Sequence, residues 1–389
     1  MINKKIAFVV VFIIFIISGI TTYSFFSAEK GQSFLSPITY KAPTSENGAT
    51  ESAINAEPKT EECPLNGQML SKTERKIWEG HRPLGIMVEN HKDARPQSGI
   101  SSADIVYEAV AEGGITRFLL IFYCKDAPYV GPVRSARMYF VKFLEGYGQN
   151  PLYAHVGGAN TEGPADALGY INELGWSSNN DLNQFSVPFP YFWRDYERLK
   201  NVATEHTVYT STNKLWQYAK DKRNLTNVDD KGVRWDKGFS QWKFEDDAKP
   251  SDRGTVVKID FGFWDNLASD FSVVWNYDNK TNSYKRTNGG VPHLDKNTGK
   301  QIEAKNVVVM FAKESPANDG YEGGQHILYK NVGSGEMLFF KNGQVVKGTW
   351  SRETEKDQIK FFDNSDKEIS IVRGQVFIEM LPIGNKVTY

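Results

Sequence analysis

The chain has 389 residues, of which 40 % are hydrophobic, 13 % aromatic and 24 % charged. That profile excludes a collagen-like, wholly disordered or disulfide-framework protein, and the length predicts two domains. With 46 Lys and Arg against 47 Asp and Glu, the net charge is −1. There is no global basic field, so nucleic acid is not an expected partner. Two cysteines cannot build a four-cysteine zinc site.

Lys4 and Lys5 precede an uncharged, Ile-, Val- and Phe-rich stretch from Ile6 to Ala28. At about 1.5 Å per residue it spans a hydrocarbon core of roughly 30 Å. The lysines on its N-terminal side predict that the bulk of the chain lies outside the cytoplasm. A cleaved signal peptide is the rival reading, but its apolar region is normally shorter, and Phe26 spoils a small-residue cleavage site at Ala28. The expectation is a single N-terminal transmembrane helix, with residues 6–28 holding the protein in the cell membrane. Residues 29–62 are rich in Pro, Ser, Thr, Glu and Ala and read as a disordered linker. Cys63 and Cys124 are the only cysteines. An even pair outside the cytoplasm reads as a disulfide, with two free buried thiols as the alternative.

Residues 63–222 mix strand and helix patterns. Leu84–Val88 is a buried-type run. Ile105–Ala111 and Ile115–Tyr123 are β-rich and flank Glu112-Gly113-Gly114, a hairpin signal. Leu152–Val156 is a further strand. Helical periods follow Ser135, Pro164 and Ser211, where Ser serves as an N-cap and Pro suits a first turn. Residues 223–253 read as a connection. From 254 to 389 short strands alternate with turn signals such as Lys341-Asn342-Gly343 and Arg373-Gly374. The predicted fold is an α/β or α+β N-terminal domain followed by a mainly antiparallel β C-terminal domain.

Gly131-Pro132-Val133-Arg134-Ser135-Ala136-Arg137 is the densest chemical signal. Two arginines at a helix start are opposed by the helix dipole unless an anion lies nearby. Unpaired backbone N–H groups there suit phosphate or carboxylate. Arg117 is expected to converge on the same place. The alternative is internal pairing of these arginines with Glu108 and Glu112. Val88-Glu89-Asn90-His91 closes the first strand, where His91 beside a carboxylate suits acid–base or metal chemistry. His155 precedes Gly157-Gly158, which permits close approach of a ligand, and Asn160 follows. Asp181, Asn183, Arg194, Asp195, Glu205 and His206 define no reaction class by spacing. There is no Gly-x-Ser-x-Gly elbow, Walker loop or His-Glu-x-x-His. Asp295–Gly299 misplaces the glycine of a calcium loop and reads as a turn. No metal ligand set and no cofactor are expected. The tryptophans of the C-terminal part are expected to pack in sheets rather than bind glycan.

The runs RPLGIMVENHKDARPQSGISSADIVYEAVAEGGITRFLLIF (82–122), VGPVRSAR (130–137) and HVGGA (155–159), with KESPANDGY (313–321) and GTW (348–350), resemble the YerB-like lipoprotein family. The likeness extends over nearly everything from Cys63 onward. It implies a bacterial, extracytoplasmic, membrane-attached protein with paired N- and C-terminal domains, and it supplies no reaction. The chain departs from that pattern in lacking a lipid-attachment cysteine, so a transmembrane anchor is expected to replace the lipid. The order of anchor, strand pair, Arg motif and Gly-Gly strand end also parallels the LytR-CpsA-Psr cell-wall glycopolymer transferases.

The leading expectation is a cell-envelope protein that binds an anionic ligand, a phosphorylated cell-wall glycan or lipid-linked species. Arg117, Arg134, Ser135 and Arg137 would meet the anion, while Asn90, His91, His155 and Asn160 shape the pocket. The alternatives are an envelope phosphoester transferase or hydrolase, and a scaffold that contacts other envelope proteins. The enzyme reading takes Glu108, Glu112 or His155 as its catalytic candidates.

Overall fold

The computed structural model describes residues 57–389. The expected membrane segment 6–28 and most of the expected linker lie outside the described residues. Among the described residues no helix is long and apolar enough to cross a membrane. Residues 57–62 are attached to the body: Glu61 and Glu62 pair with Met69 and Leu70, and Glu57 accepts from the Thr73 hydroxyl at 2.6 Å.

The elements that position the site are, in chain order, α1 (Lys72–Trp78), β1 (Leu84–Glu89), β2 (Ile105–Glu112), β3 (Ile115–Phe122), α2 (Met138–Glu145), β4 (Leu152–His155), α3 (Ala167–Glu173), β5 (Asp181–Asn183) and α4 (Thr212–Arg223). The C-terminal part adds β6 (Lys258–Phe261), β7 (Val273–Asp278), β8 (Ser283–Asn288), β9 (Asn306–Ala312), β10 (Gly333–Lys341), β11 (Gln344–Arg352), β12 (Lys360–Asp363), β13 (Val376–Pro382) and β14 (Val387–Thr388). The N-terminal region is mixed, with few helices, and the C-terminal region is mainly antiparallel strand.

Ten strands form one sheet in the order β12-β11-β10-β9-β13-β2-β3-β1-β4-β5. Strands of both halves therefore meet in its middle, where β13 runs parallel to β2 with Val376 opposite Ile105 and Glu379 opposite Glu108. β9 is parallel to β13, β11 runs with β9 across the antiparallel β10, and β4 and β5 continue in parallel from β1, so seven strands (β1, β2, β4, β5, β9, β11 and β13) point the same way. Their carboxyl ends share one edge of the sheet. That edge is where open sheets of this kind usually hold ligands.

Each face of the sheet has its own cover. On one face Tyr107 stacks on Phe143 of α2, with centroids 4.4 Å apart. Gly85 lets α2 come close: a Cβ there would lie 2.9 Å from Leu144 Cδ1. On the other face a second sheet, β8-β7-β6-β14 with short flanking strands, brings Trp275 against Phe377 at 4.9 Å. Trp275 and Trp350 are buried, as the packing expectation required. Cys63 and Cys124 form a disulfide with a Cα–Cα distance of 5.9 Å, tying the segment before α1 to the end of β3.

The Gly113-Gly114 hairpin forms as expected, both glycines having positive φ. Just before it, β2 carries a bulge between Val110 and Glu112. Residues 108 and 112 would share a face of a regular strand. The bulge turns Glu112 onto the opposite face, beside Arg117 and α2, while Glu108 faces the second sheet.

Candidate functional site at the carboxyl edge of the sheet

The segment 130–137 crosses the carboxyl ends of β1 and β4 in extended form. Arg134 N donates to Met87 O at 3.0 Å, Val156 N to Arg134 O at 3.0 Å, and Ala136 N to Gly157 O at 2.9 Å. These bonds hold Ser135 extended, so it does not cap the helix as the sequence predicted. α2 begins at Met138 with Arg137 as N-cap, and no side chain bonds the first turn.

Arg117, Arg134 and Arg137 do converge here. Arg137 pairs with Glu112, and Arg117 lies 3.5 Å from the same carboxylate. Arg134 Nε is 3.2 Å from Glu89 Oε1. The anion that offsets the dipole at the start of α2 is thus internal, Glu112, and the second acid is Glu89 rather than Glu108. Burial pushes the Glu112 carboxyl up, but the Arg137 and Arg117 guanidiniums outweigh it and lower its pKa. Burial, followed by the neighbouring Arg137, lowers Arg117 to about 10, still a cation at neutral pH. Three guanidiniums face two carboxylates, leaving one positive charge in excess. The side chains of Arg117 and Arg137 are 3 % and 7 % exposed, whereas Arg134 is 24 % exposed. The buried Nε atoms of Arg117 and Arg137 lack a hydrogen-bond partner, while that of Arg134 faces Glu89.

Glu108, proposed as a base, lies in a different environment. It is fully buried and pairs with Arg286 of β8, itself fully buried. It also accepts from Asn90 Nδ2 at 2.9 Å and Thr116 Oγ1 at 2.6 Å. Arg286 Nη1 donates to His293 Nδ1 at 2.6 Å, and His293 Nε2 donates to Gln97 Oε1 at 2.7 Å, so His293 is a neutral relay in this network. Burial, then Arg286 and Arg95, hold its pKa well below the usual range. Glu379 lies 3.5 Å from Arg286 and accepts from Trp275 Nε1 at 2.9 Å. Burial and the adjacent Glu108 push Glu379 well above the usual carboxylate range. It therefore carries a proton, and one guanidinium balances one carboxylate. Asn90 belongs to this buried network, accepting from Arg95, Gln97 and Asn288 at 2.9–3.0 Å.

His155 is fully buried. Its Nδ1 lies 2.6 Å from Gly157 O and its Nε2 2.6 Å from Asp181 Oδ1. Both nitrogens are engaged by oxygen partners, which leaves neither free as a base. Asn160 is exposed and makes no side-chain hydrogen bond among the described residues. His91 stacks on His206 with centroids 5.1 Å apart and planes 9° from parallel, and His206 Nδ1 bonds Glu89 Oε2 at 2.7 Å.

Sequence reasoning left Glu89, Asp93 and His206 outside the site. Glu89 and Asp93 flank His91, but His206 is more than a hundred residues away. It returns because Val133 N bonds Val208 O at 2.7 Å. Arg286 and Glu379 were likewise unmarked. The signal for Glu379 was a charge inside an apolar strand, Val376-Phe377-Ile378-Glu379-Met380-Leu381, whereas Arg286 lies in the polar run Ser283–Asn288 and gave none.

The family comparisons cover the same regions. The N-terminal domain described as "Protein of unknown function (DUF3048)" matches residues 69–226, and the corresponding C-terminal domain matches residues 263–378. A protein named "Putative lipoprotein YerB" from Bacillus subtilis (strain 168) is 34 % identical over 295 residues, 75 % of this chain and 78 % of that one. The crystal structure of YerB from Bacillus subtilis matches with a TM-score of 0.66 at 27 % identity, covering 85 % of this chain and 100 % of that chain. The chain belongs to the YerB-like family, built of paired DUF3048 N- and C-terminal domains.

Proposed function

We propose that this protein is a membrane-attached, extracytoplasmic cell-envelope protein that binds an anionic ligand at the carboxyl edge of its large sheet. The ligand class is a phosphorylated glycan or a lipid-linked precursor of one. The carrying observation is the excess guanidinium: three arginines against two carboxylates. In this reading Arg134, the exposed member, meets the ligand, and Arg117 and Arg137 hold the 130–137 segment through Glu112. Placement outside the cytoplasm is supported by the disulfide, by the apolar 6–28 segment and by the name of the YerB relative.

The geometry favours binding over catalysis by the carboxylates first considered, because Glu108 and Glu112 are both committed to arginines. Arg134→Ala should weaken binding of a phosphorylated wall fragment by roughly 1.5–3 kcal/mol, the scale of a charged hydrogen bond, with little loss of stability. Calorimetric titration checks the first and urea unfolding the second. Unchanged affinity in a folded Arg134→Ala variant would sink the reading and favour a scaffold.

A further inference from the structure

Beyond the arginines, the same edge carries a second cluster of a different kind. His91, Asp93 and His206 each offer a ligand atom, and those atoms all lie within 4.8 Å of one another. A tetrahedral zinc ion with bonds of roughly 2.0–2.1 Å holds its ligand atoms about 3.3 Å apart, so the cluster needs a contraction of about 1.5 Å.

Two features favour a cation there. The first is the support of His206. Its Nδ1–H is taken by Glu89 Oε2 at 2.7 Å, which fixes the ring and leaves Nε2 as the free nitrogen. A carboxylate behind a histidine is the usual outer support of a metal ligand. The second is unequal freedom. His206 is 7 % exposed and held, whereas His91 and Asp93 are 29 % and 57 % exposed on a three-residue turn. Parallel rings do not aim their lone pairs at one point, so His91 is the ligand that turns inward, and its surface position allows it.

We propose that His91, Asp93 and His206 form a binding site for one divalent transition-metal ion of the zinc class at the carboxyl end of β1. Two nitrogens and one carboxylate oxygen leave a coordination position for water or for an oxygen of an anionic ligand. Arg134, on the other oxygen of Glu89, stands next to that position. The proposal does not depend on anion binding by the arginines, since the ion is held without it.

The test uses the untagged full chain in detergent, stripped with a chelator and titrated with zinc alone. One equivalent should bind. His91→Ala and His206→Ala should each weaken binding at least tenfold. His326→Ala, in the unrelated His326–Asp319 pair, should leave binding unchanged. Glu89→Gln, which keeps an acceptor but loses the charge, should weaken zinc binding by about 10–100-fold. Cobalt(II) in place of zinc gives a visible spectrum that reports the ligand set, and His91→Ala should change it. His91 is a surface residue, so its variant folds even if His206→Ala does not. No stoichiometric zinc binding by the parent chain, or equal binding by His91→Ala, overturns the proposal.

Discussion

Arg286→Met is the sharpest probe of how the two halves are joined. Arg286 comes from the second sheet, Glu108 from the N-terminal half and Glu379 from β13, and all three are 0 % exposed. Methionine fills much of the volume and keeps contact with Phe118, Trp275 and Phe377, whose rings lie 5.3–5.7 Å from the guanidinium carbon. What it removes is the cation. Glu108 retains Asn90 and Thr116 as donors but is left as a buried carboxylate without its guanidinium, and His293 Nδ1 loses its donor. Breaking such a pair costs roughly 3–5 kcal/mol. Adding Glu108→Gln removes the stranded charge while preserving an acceptor, so the double variant should recover at least about 2 kcal/mol, read as coupling in a double-mutant cycle. The assay is urea unfolding followed by tryptophan fluorescence. A loss below about 1 kcal/mol for Arg286→Met, or strict additivity with Glu108→Gln, would refute the pairing argument.

Two further outcomes can be measured on the same chain. Cys63 and Cys124 close a loop across a sequence separation of 61. Replacing both with Ser should cost roughly 4 kcal/mol in the loop-entropy account, and non-reducing peptide mapping should find no free thiol in the parent. His81 stacks on Trp216 at 3.7 Å, and burial lowers its pKa from 6.5 to about 3. Its neutral form is favoured in the fold, so its contribution is complete above about pH 6.5 and is lost as the pH falls toward 3. His81→Phe keeps the stack without titrating and should flatten that acid limb; an unchanged pH profile would count against the assignment.

Strands with strong local signals were legible. The apolar runs at Leu84, Ile105, Ile115, Asn306 and Val376 all form strands, because continuous Val, Ile and Phe runs fit a sheet buried on both faces. Ser211 does cap its helix, accepting from Lys214 N at 3.3 Å. The start of α2 was misread because a backbone ladder to β1 and β4, invisible in local sequence, outweighs the capping preference of Ser135. The convergence of Arg117, Arg134 and Arg137 was legible from the motif and the adjacent strand. Their partners were not, since a bulge decides which glutamate faces them and the return of the 204–210 segment decides where His206 lies. Long-range pairing leaves no periodic trace.

The parallel seam between β2 and β13 also sets an order of assembly. β13 reaches its place opposite Ile105 about 270 residues after β2 has been made. If the chain is exported from its N-terminus, β2 arrives on the far side long before its neighbour. Until then Ile105–Glu112, apolar along most of its length, is an open edge of the kind that recruits foreign strands. Such late, non-local closure is slow. A chain terminated before Val376 would lose only a small fraction of its residues yet leave that edge permanently open, so late nonsense mutations should behave as nulls. For the same reason neither half completes the large sheet alone: each carries one side of a hydrogen-bonded seam.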